Sequence, residues 1–78
     1  MKKKGSADIR EKFGFAVKGR REELGLTQED FAARVGIHRT YLSDVERGTR
    51  NICLQNIERF AAALTLSLSE FFRLVERQ

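Results

Sequence analysis

Positions 38–51 read His38-Arg-Thr-Tyr-Leu-Ser-Asp-Val-Glu-Arg-Gly-Thr-Arg-Asn51, a dense run of side chains able to donate and accept hydrogen bonds. Wound as a helix, this run puts Leu42 and Val45 on one face. Arg39, Thr40 and Ser43 fall on the opposite face near the helix start, with Tyr41 and Asp44 at its border. The chemistry open to such a set is recognition. A guanidinium such as that of Arg39 presents a fork of donors that fits the O6 and N7 of guanine, worth roughly 1–3 kcal/mol of discrimination against another base. Thr40 and Ser43 can donate, accept or touch a thymine methyl, and Tyr41 is expected to reach a sugar-phosphate backbone or such a methyl rather than a core. The chain offers no recognisable nucleophile-and-base constellation and no phosphate-cradling glycine loop, so an enzyme is not expected. One cysteine, Cys53, and one histidine, His38, exclude an internal disulfide and a four-ligand zinc site. No metal and no cofactor are therefore expected.

The elements that must hold these side chains are all helical. The chain has no proline, and its turn-prone residues cut it into five short helices without strand-like alternation. Asp8, with Glu11 three residues on, suits the start of helix 1, whose apolar face carries Phe13, Val17 and Leu24 and which Gly25 ends. Phe15 falls off that face and Gly19 lies inside the helix, neither with a physical account. Thr27 is a good N-cap for helix 2, with Gln28, Glu29 and Asp30 in its first turn and Phe31, Ala32 and Val35 facing inward. Gly36 permits a sharp turn with Ile37 tucked at the corner, and helix 3 runs from about Arg39 to Arg47, stopped by Gly48. Helix 4, about Leu54 to Leu64, presents Leu54, Ile57, Phe60, Ala61 and Leu64 to a core, and Ser67 with Glu70 forms the capping-box pattern that opens helix 5.

Seventy-eight residues make one domain, and a chain this short buries only about 60% of the surface it exposes when unfolded. With 41% hydrophobic and 33% charged residues it should fold around a packed core. Residues 1–7 read as a basic mobile arm and 8–78 as the domain. Residues 1–21 carry eight basic against two acidic side chains, whereas the remaining 57 carry seven against nine. That asymmetry fits a polyanion-binding face and fits equally a solvated basic tail. No apolar run approaches the roughly 20 residues that cross a bilayer, and Lys2, Lys3 and Lys4 precede polar residues rather than a signal core. A cytoplasmic protein without membrane association is expected.

Two short helices joined by a glycine turn leave the second free to project its polar face. Ala32 at the close crossing, Gly36 at the turn, and Ile37, Leu42 and Val45 as anchors select a DNA-binding helix-turn-helix over a plain hairpin. The run from Leu26 to Gly48 resembles the phage-repressor-like, or Cro/repressor-class (XRE-like), helix-turn-helix regulators, and the resemblance covers about residues 10–74. His38 to Asn51, followed by two short helices, looks most like the controller proteins of restriction-modification systems. The chain departs from that pattern at Cys53, where Ser or Thr usually caps helix 4, at Thr65, where Gly often ends it, and at Arg20, where an aliphatic residue is common.

The resemblance implies a compact five-helix domain whose helix 3 enters the major groove of a double-stranded operator, with Arg39, Thr40, Tyr41, Ser43 and Asp44 at base edges. Gln28 at the head of helix 2, together with Arg47, Arg50 and Asn51, would grip the sugar-phosphate chain, while His38 suits a cap or a phosphate contact. In phage repressors the positions of Arg21 and Glu46 form a largely buried ion pair; two unconnected surface charges are the alternative here. Operators read by dimers carry half-sites about one turn apart, and the apolar residues of helix 5 spread over about 160°, wider than one core needs. Leu66, Phe71, Leu74 and Val75 are accordingly expected at a homodimer surface. No effector domain is expected, so no small-molecule effector is expected and occupancy would follow concentration. The rival readings are an antitoxin that binds its own operator and sequesters a toxin, and a protein-interaction module for which Arg39 and Thr40 are without consequence.

Overall fold

The computed structural model describes residues 8–78, and the basic arm expected at 1–7 lies outside them. The described residues form five helices and no strand: α1 (Ile9–Glu23), α2 (Gln28–Val35), α3 (Arg39–Glu46), α4 (Leu54–Ala63) and α5 (Leu68–Glu76). Local chemistry sets their starts. The Asp8 carboxylate accepts from the backbone N–H of Arg10 at 2.8 Å, and Thr27 Oγ1 accepts from that of Asp30 at 3.0 Å. Ser67 and Glu70 form a reciprocal capping box at 3.1 and 2.8 Å, which holds the Glu70 carboxyl below its ordinary pKa. His38 and Cys53 occupy the N-cap positions of α3 and α4, but neither side chain bonds the first turn. His38 is therefore not a side-chain cap.

Four phenylalanines organise the core. Phe13 of α1 meets Phe71 of α5 at 5.0 Å and Phe60 of α4 at 5.7 Å, and Phe60 meets Phe31 of α2 at 5.9 Å, all edge to face. This geometry suits the quadrupoles of the rings and ties four helices in one chain of contacts. Val17, Leu42, Val45, Leu64 and Val75 fill the space between them. Two expectations change as a result. Phe71 and Val75 have no exposed surface, because α5 lies against α1 and turns the middle of its apolar arc inward, so neither can face a second subunit. Leu54 is 75% exposed, since α4 enters the core only from its second turn onward.

Two of the chain's departures from the family pattern compensate each other. Thr65 follows α4 in a left-handed conformation, φ 59°, where a glycine would be unstrained. Arg20 reaches across from α1, its Nε donating to the Leu64 carbonyl and its Nη2 to Thr65 Oγ1, both at 3.1 Å. The guanidinium thus satisfies the helix end that glycine would otherwise close.

The placement of α3 rests on α1. A Cβ on Gly14 would lie 2.5 Å from the Val45 carbonyl oxygen and 2.7 Å from that of Glu46, so only glycine lets the two backbones meet. Gly48, at φ +79°, ends α3 where a Cβ would lie 2.9 Å from the Cα of Glu11. Beside this crossing Arg21 grips Glu46 with two bonds, Nε to Oε2 at 2.7 Å and Nη2 to Oε1 at 3.1 Å, and its Nη1 donates to the Leu26 carbonyl at 2.8 Å. Their side chains are only 9% and 5% exposed. Breaking a buried pair from one side strands the other charge, at a cost of about 3–5 kcal/mol. Arg21→Ala and Glu46→Ala should each lose about that much stability in urea unfolding, and the double substitution less than their sum. Near-neutral single substitutions, or strictly additive ones, would contradict a structural role for the pair.

Candidate nucleic-acid interface

The polar face of α3 is exposed at Arg39 and Thr40 and half-buried from Tyr41 through Ser43 and Asp44, while Leu42 and Val45 anchor the opposite face in the core. An isolated helix of eight residues would not be stable in water, so its neighbours supply both its order and its aim. Arg39, in its first turn, is exposed, and its Nη1 donates to Gln28 Oε1 at 3.3 Å. Gln28 in turn donates from Nε2 to Glu46 Oε1 at 3.0 Å. A continuous relay therefore runs from Arg21 through Glu46 and Gln28 to the guanidinium of Arg39. Gln28 was expected at the phosphate chain; its side-chain amide is committed inside this relay. The head of α2 still offers the unpaired backbone N–H groups of a helix N-terminus, a fitting seat for a phosphate.

Thr40 and His38 are exposed and line an open cleft of about 530 Å³ beside α3, together with Tyr41, Arg50 and Asn56. Tyr41 is only half exposed. One side of it packs on the core, Asn56 Nδ2 donates to its hydroxyl at 3.4 Å, and the Arg50 guanidinium lies 4.9 Å above its ring. The expectation that Tyr41 avoids the core is corrected: its ring is a wall between core and cleft, and its hydroxyl marks the rim. Sequence gave no signal for Asn56, a polar residue in the first turn of α4 that the packing of both α3 and α4 on α2 brings to this cleft.

The second half of α3 carries a tight charged group. Arg47 Nη1 donates to Ser43 Oγ at 2.7 Å, and its Nη2 pairs with Asp44 Oδ1. Arg50 donates to Asp44 Oδ2 from Nε at 3.2 Å and from Nη2 at 3.1 Å. Ser43 and Asp44, read as base contacts, are thus joined in the free protein to the two arginines read as backbone contacts. Asn51 is exposed on a different side. It lines a cleft of about 180 Å³ with Ile9, Ile52, Ile57 and Phe72. Leu54 and Leu68 border a neighbouring hollow one turn nearer the starts of α4 and α5. Of the five large hydrophobic residues exposed among the described residues, Ile9, Leu54, Leu68 and Phe72 belong to this strip, while the fifth, Phe15, stands apart from it beside Leu74. Leu66 and Leu74, expected with Phe71 and Val75 at a subunit contact, are half-buried elsewhere, beside Arg20 and Glu70.

This architecture matches known proteins over most of its length. The helix-turn-helix family model fits residues 17–71. The control protein C.MunI of a Mycoplasma species is 43% identical over 72 residues, covering 91% of this chain and 97% of that protein. The control protein C.BamHI of Bacillus amyloliquefaciens is 47% identical over 58 residues, or 73% and 72% of the two chains. Among solved structures, the restriction-modification controller protein C.Esp1396I, captured as a tetramer on its natural 35-base-pair operator, superposes with a TM-score of 0.83 at 34% identity, covering 91% of this chain and 93% of that one. With a buried ion pair aiming a short polar helix, and with relatives of this identity and coverage, the chain belongs to the helix-turn-helix family and, within it, to the control proteins of restriction-modification systems.

Proposed function

We propose that this protein is a sequence-specific transcriptional regulator that binds a palindromic double-stranded operator as a homodimer and controls a restriction-modification operon in the cytoplasm. It acts by binding, without a catalytic step. The observation that carries this reading is the relay Arg21–Glu46–Gln28–Arg39, which ties one nitrogen of the exposed guanidinium at the head of α3 back to the buried pair. A side chain held in place before binding loses less freedom on contact, so its hydrogen bonds discriminate more sharply. Arg39 is assigned to a guanine edge, and Thr40 with Ser43 to neighbouring bases. Arg47, Arg50 and the N-terminus of α2 are assigned to phosphates. The solved operator complex of C.Esp1396I supports the same use of the fold here.

The strip formed by Ile9, Ile52, Leu54, Ile57, Leu68 and Phe72 is assigned to the partner subunit, in place of Leu66, Phe71, Leu74 and Val75. Two large apolar side chains, Leu54 and Ile9, stand 75% and 60% exposed there, on a chain whose family member assembles on DNA. Placed back to back, two copies would present two α3 helices to half-sites about 34 Å apart.

Three measurements test the reading. Arg39→Ala should lose preference among operator variants that differ at the contacted guanine while keeping its affinity for random duplex within a few fold; unchanged discrimination would remove Arg39 from base reading. For wild type, about six neutralised phosphates per dimer predict a slope near −5 for log affinity against log salt. Leu54→Lys, at a position that touches little within one subunit, should leave helicity intact but shift sedimentation to the monomer and weaken operator binding. A dimer of undiminished stability in that variant would place the subunit contact elsewhere.

A further inference from the structure

The one carboxylate on the outer face of α3 is Asp44, and it occupies both arginines that follow the helix. Its Oδ1 takes Arg47, and its Oδ2 takes Arg50 through Nε and Nη2 at 3.2 and 3.1 Å. The Asp44 side chain is 21% exposed, whereas Arg47 and Arg50 are 61% and 47% exposed. Thr49 secures the arrangement by donating to the Asp44 carbonyl from both its backbone N–H and its hydroxyl, each at 3.1 Å, so that the chain doubles back and Arg50 reaches the carboxylate. With both guanidiniums open to water while the carboxylate is mostly covered, the arginines are the mobile half of each pair and can turn to a competing anion. The phosphate chain of DNA is the competing anion, and its paired oxygens accept a guanidinium fork as a carboxylate does.

We propose that Asp44 is a specificity-determining residue: it stands in for phosphate in the free protein, and releases Arg47 and Arg50 at low cost only where the DNA offers its carboxylate a base-edge donor. This rests on the functional reading above, which places α3 in the major groove. When the two arginines turn to the phosphates, the carboxylate is left close to a polyanion without its counter-charges. In the major groove a carboxylate can be satisfied by the N4 amino group of cytosine. A site with a cytosine at that position keeps Asp44 bonded, while random duplex leaves it facing phosphate repulsion. Asp44 would therefore depress non-specific binding more than operator binding.

The test compares wild type with Asp44→Asn, a near-isosteric change that removes the charge and keeps a hydrogen-bonding group, on the selected operator and on random duplex across a salt series. Removal of one negative charge per subunit should raise affinity for random duplex and steepen its salt slope by about 2 per dimer. Affinity for the operator should gain much less, so that the operator-to-random ratio falls by about tenfold. Equal gains on both DNAs would mean that Asp44 is only a charge in the way, and losses on both would mean that it positions Arg47 and Arg50 for phosphate; either overturns the proposal. Matching thermal unfolding of the two proteins checks that the fold is intact. If wild type itself does not distinguish operator from random duplex, the functional reading fails first; if wild type discriminates and the variant keeps the same ratio, the role of Asp44 alone fails.

Discussion

The buried pair between Arg21 and Glu46 is the constraint on which the rest of the interface depends. Two opposite charges removed from water are tolerable only when their hydrogen bonds are satisfied. Here Arg21 gives two bonds to Glu46 and one to the Leu26 carbonyl, and Gln28 gives Glu46 a further one. The pair therefore touches α1, the start of α2 and the end of α3 at once. Gly14 brings the backbones of α1 and α3 close enough for this to happen. Hydrophobic contacts through Leu42 and Val45 hold α3 down, but non-directional burial alone would allow it to roll. The directional bonds of the pair set its rotation, and with it the direction in which Arg39 points.

Much of the fold was legible because helix ends are governed by local chemistry. Thr27, the Ser67 and Glu70 capping box, Gly36 and Gly48 announce their roles within a few residues, and the helices begin and end within about a residue of the positions they mark. The helix-turn-helix was legible for the same reason, since its spacing is fixed by two short helices and one turn. The Arg21–Glu46 pair was not readable from spacing alone; 25 residues separate the partners, and only the resemblance to phage repressors linked them.

What the sequence could not yield was the direction of faces that are apolar over a wide arc. Periodicity shows that α5 is apolar over more than one stripe without showing which stripe meets α1. The middle, Phe71 and Val75, went to the core, and Leu68 and Phe72 stayed at the surface. Leu54 misled in the same way, because it shares a helical face with Phe60 and Ala61 but lies a turn beyond the core's edge. Gly14 escaped notice because close backbone approach leaves no pattern in a single sequence. The grouping of Arg47 and Arg50 around Asp44 was hidden for a different reason: it depends on the turn at Thr49, which carries the chain back along the helix it has just left.

The central claim, that a pair of these chains reads a palindrome through α3, is tested most directly by selecting bound sites from a random duplex pool and counting chains on the enriched site. The account predicts two matching half-sites centred about one DNA turn apart, occupied by two chains or a multiple of two. Recovery of sequences no different from the starting pool, or of a single unpaired half-site bound by one chain, would contradict it.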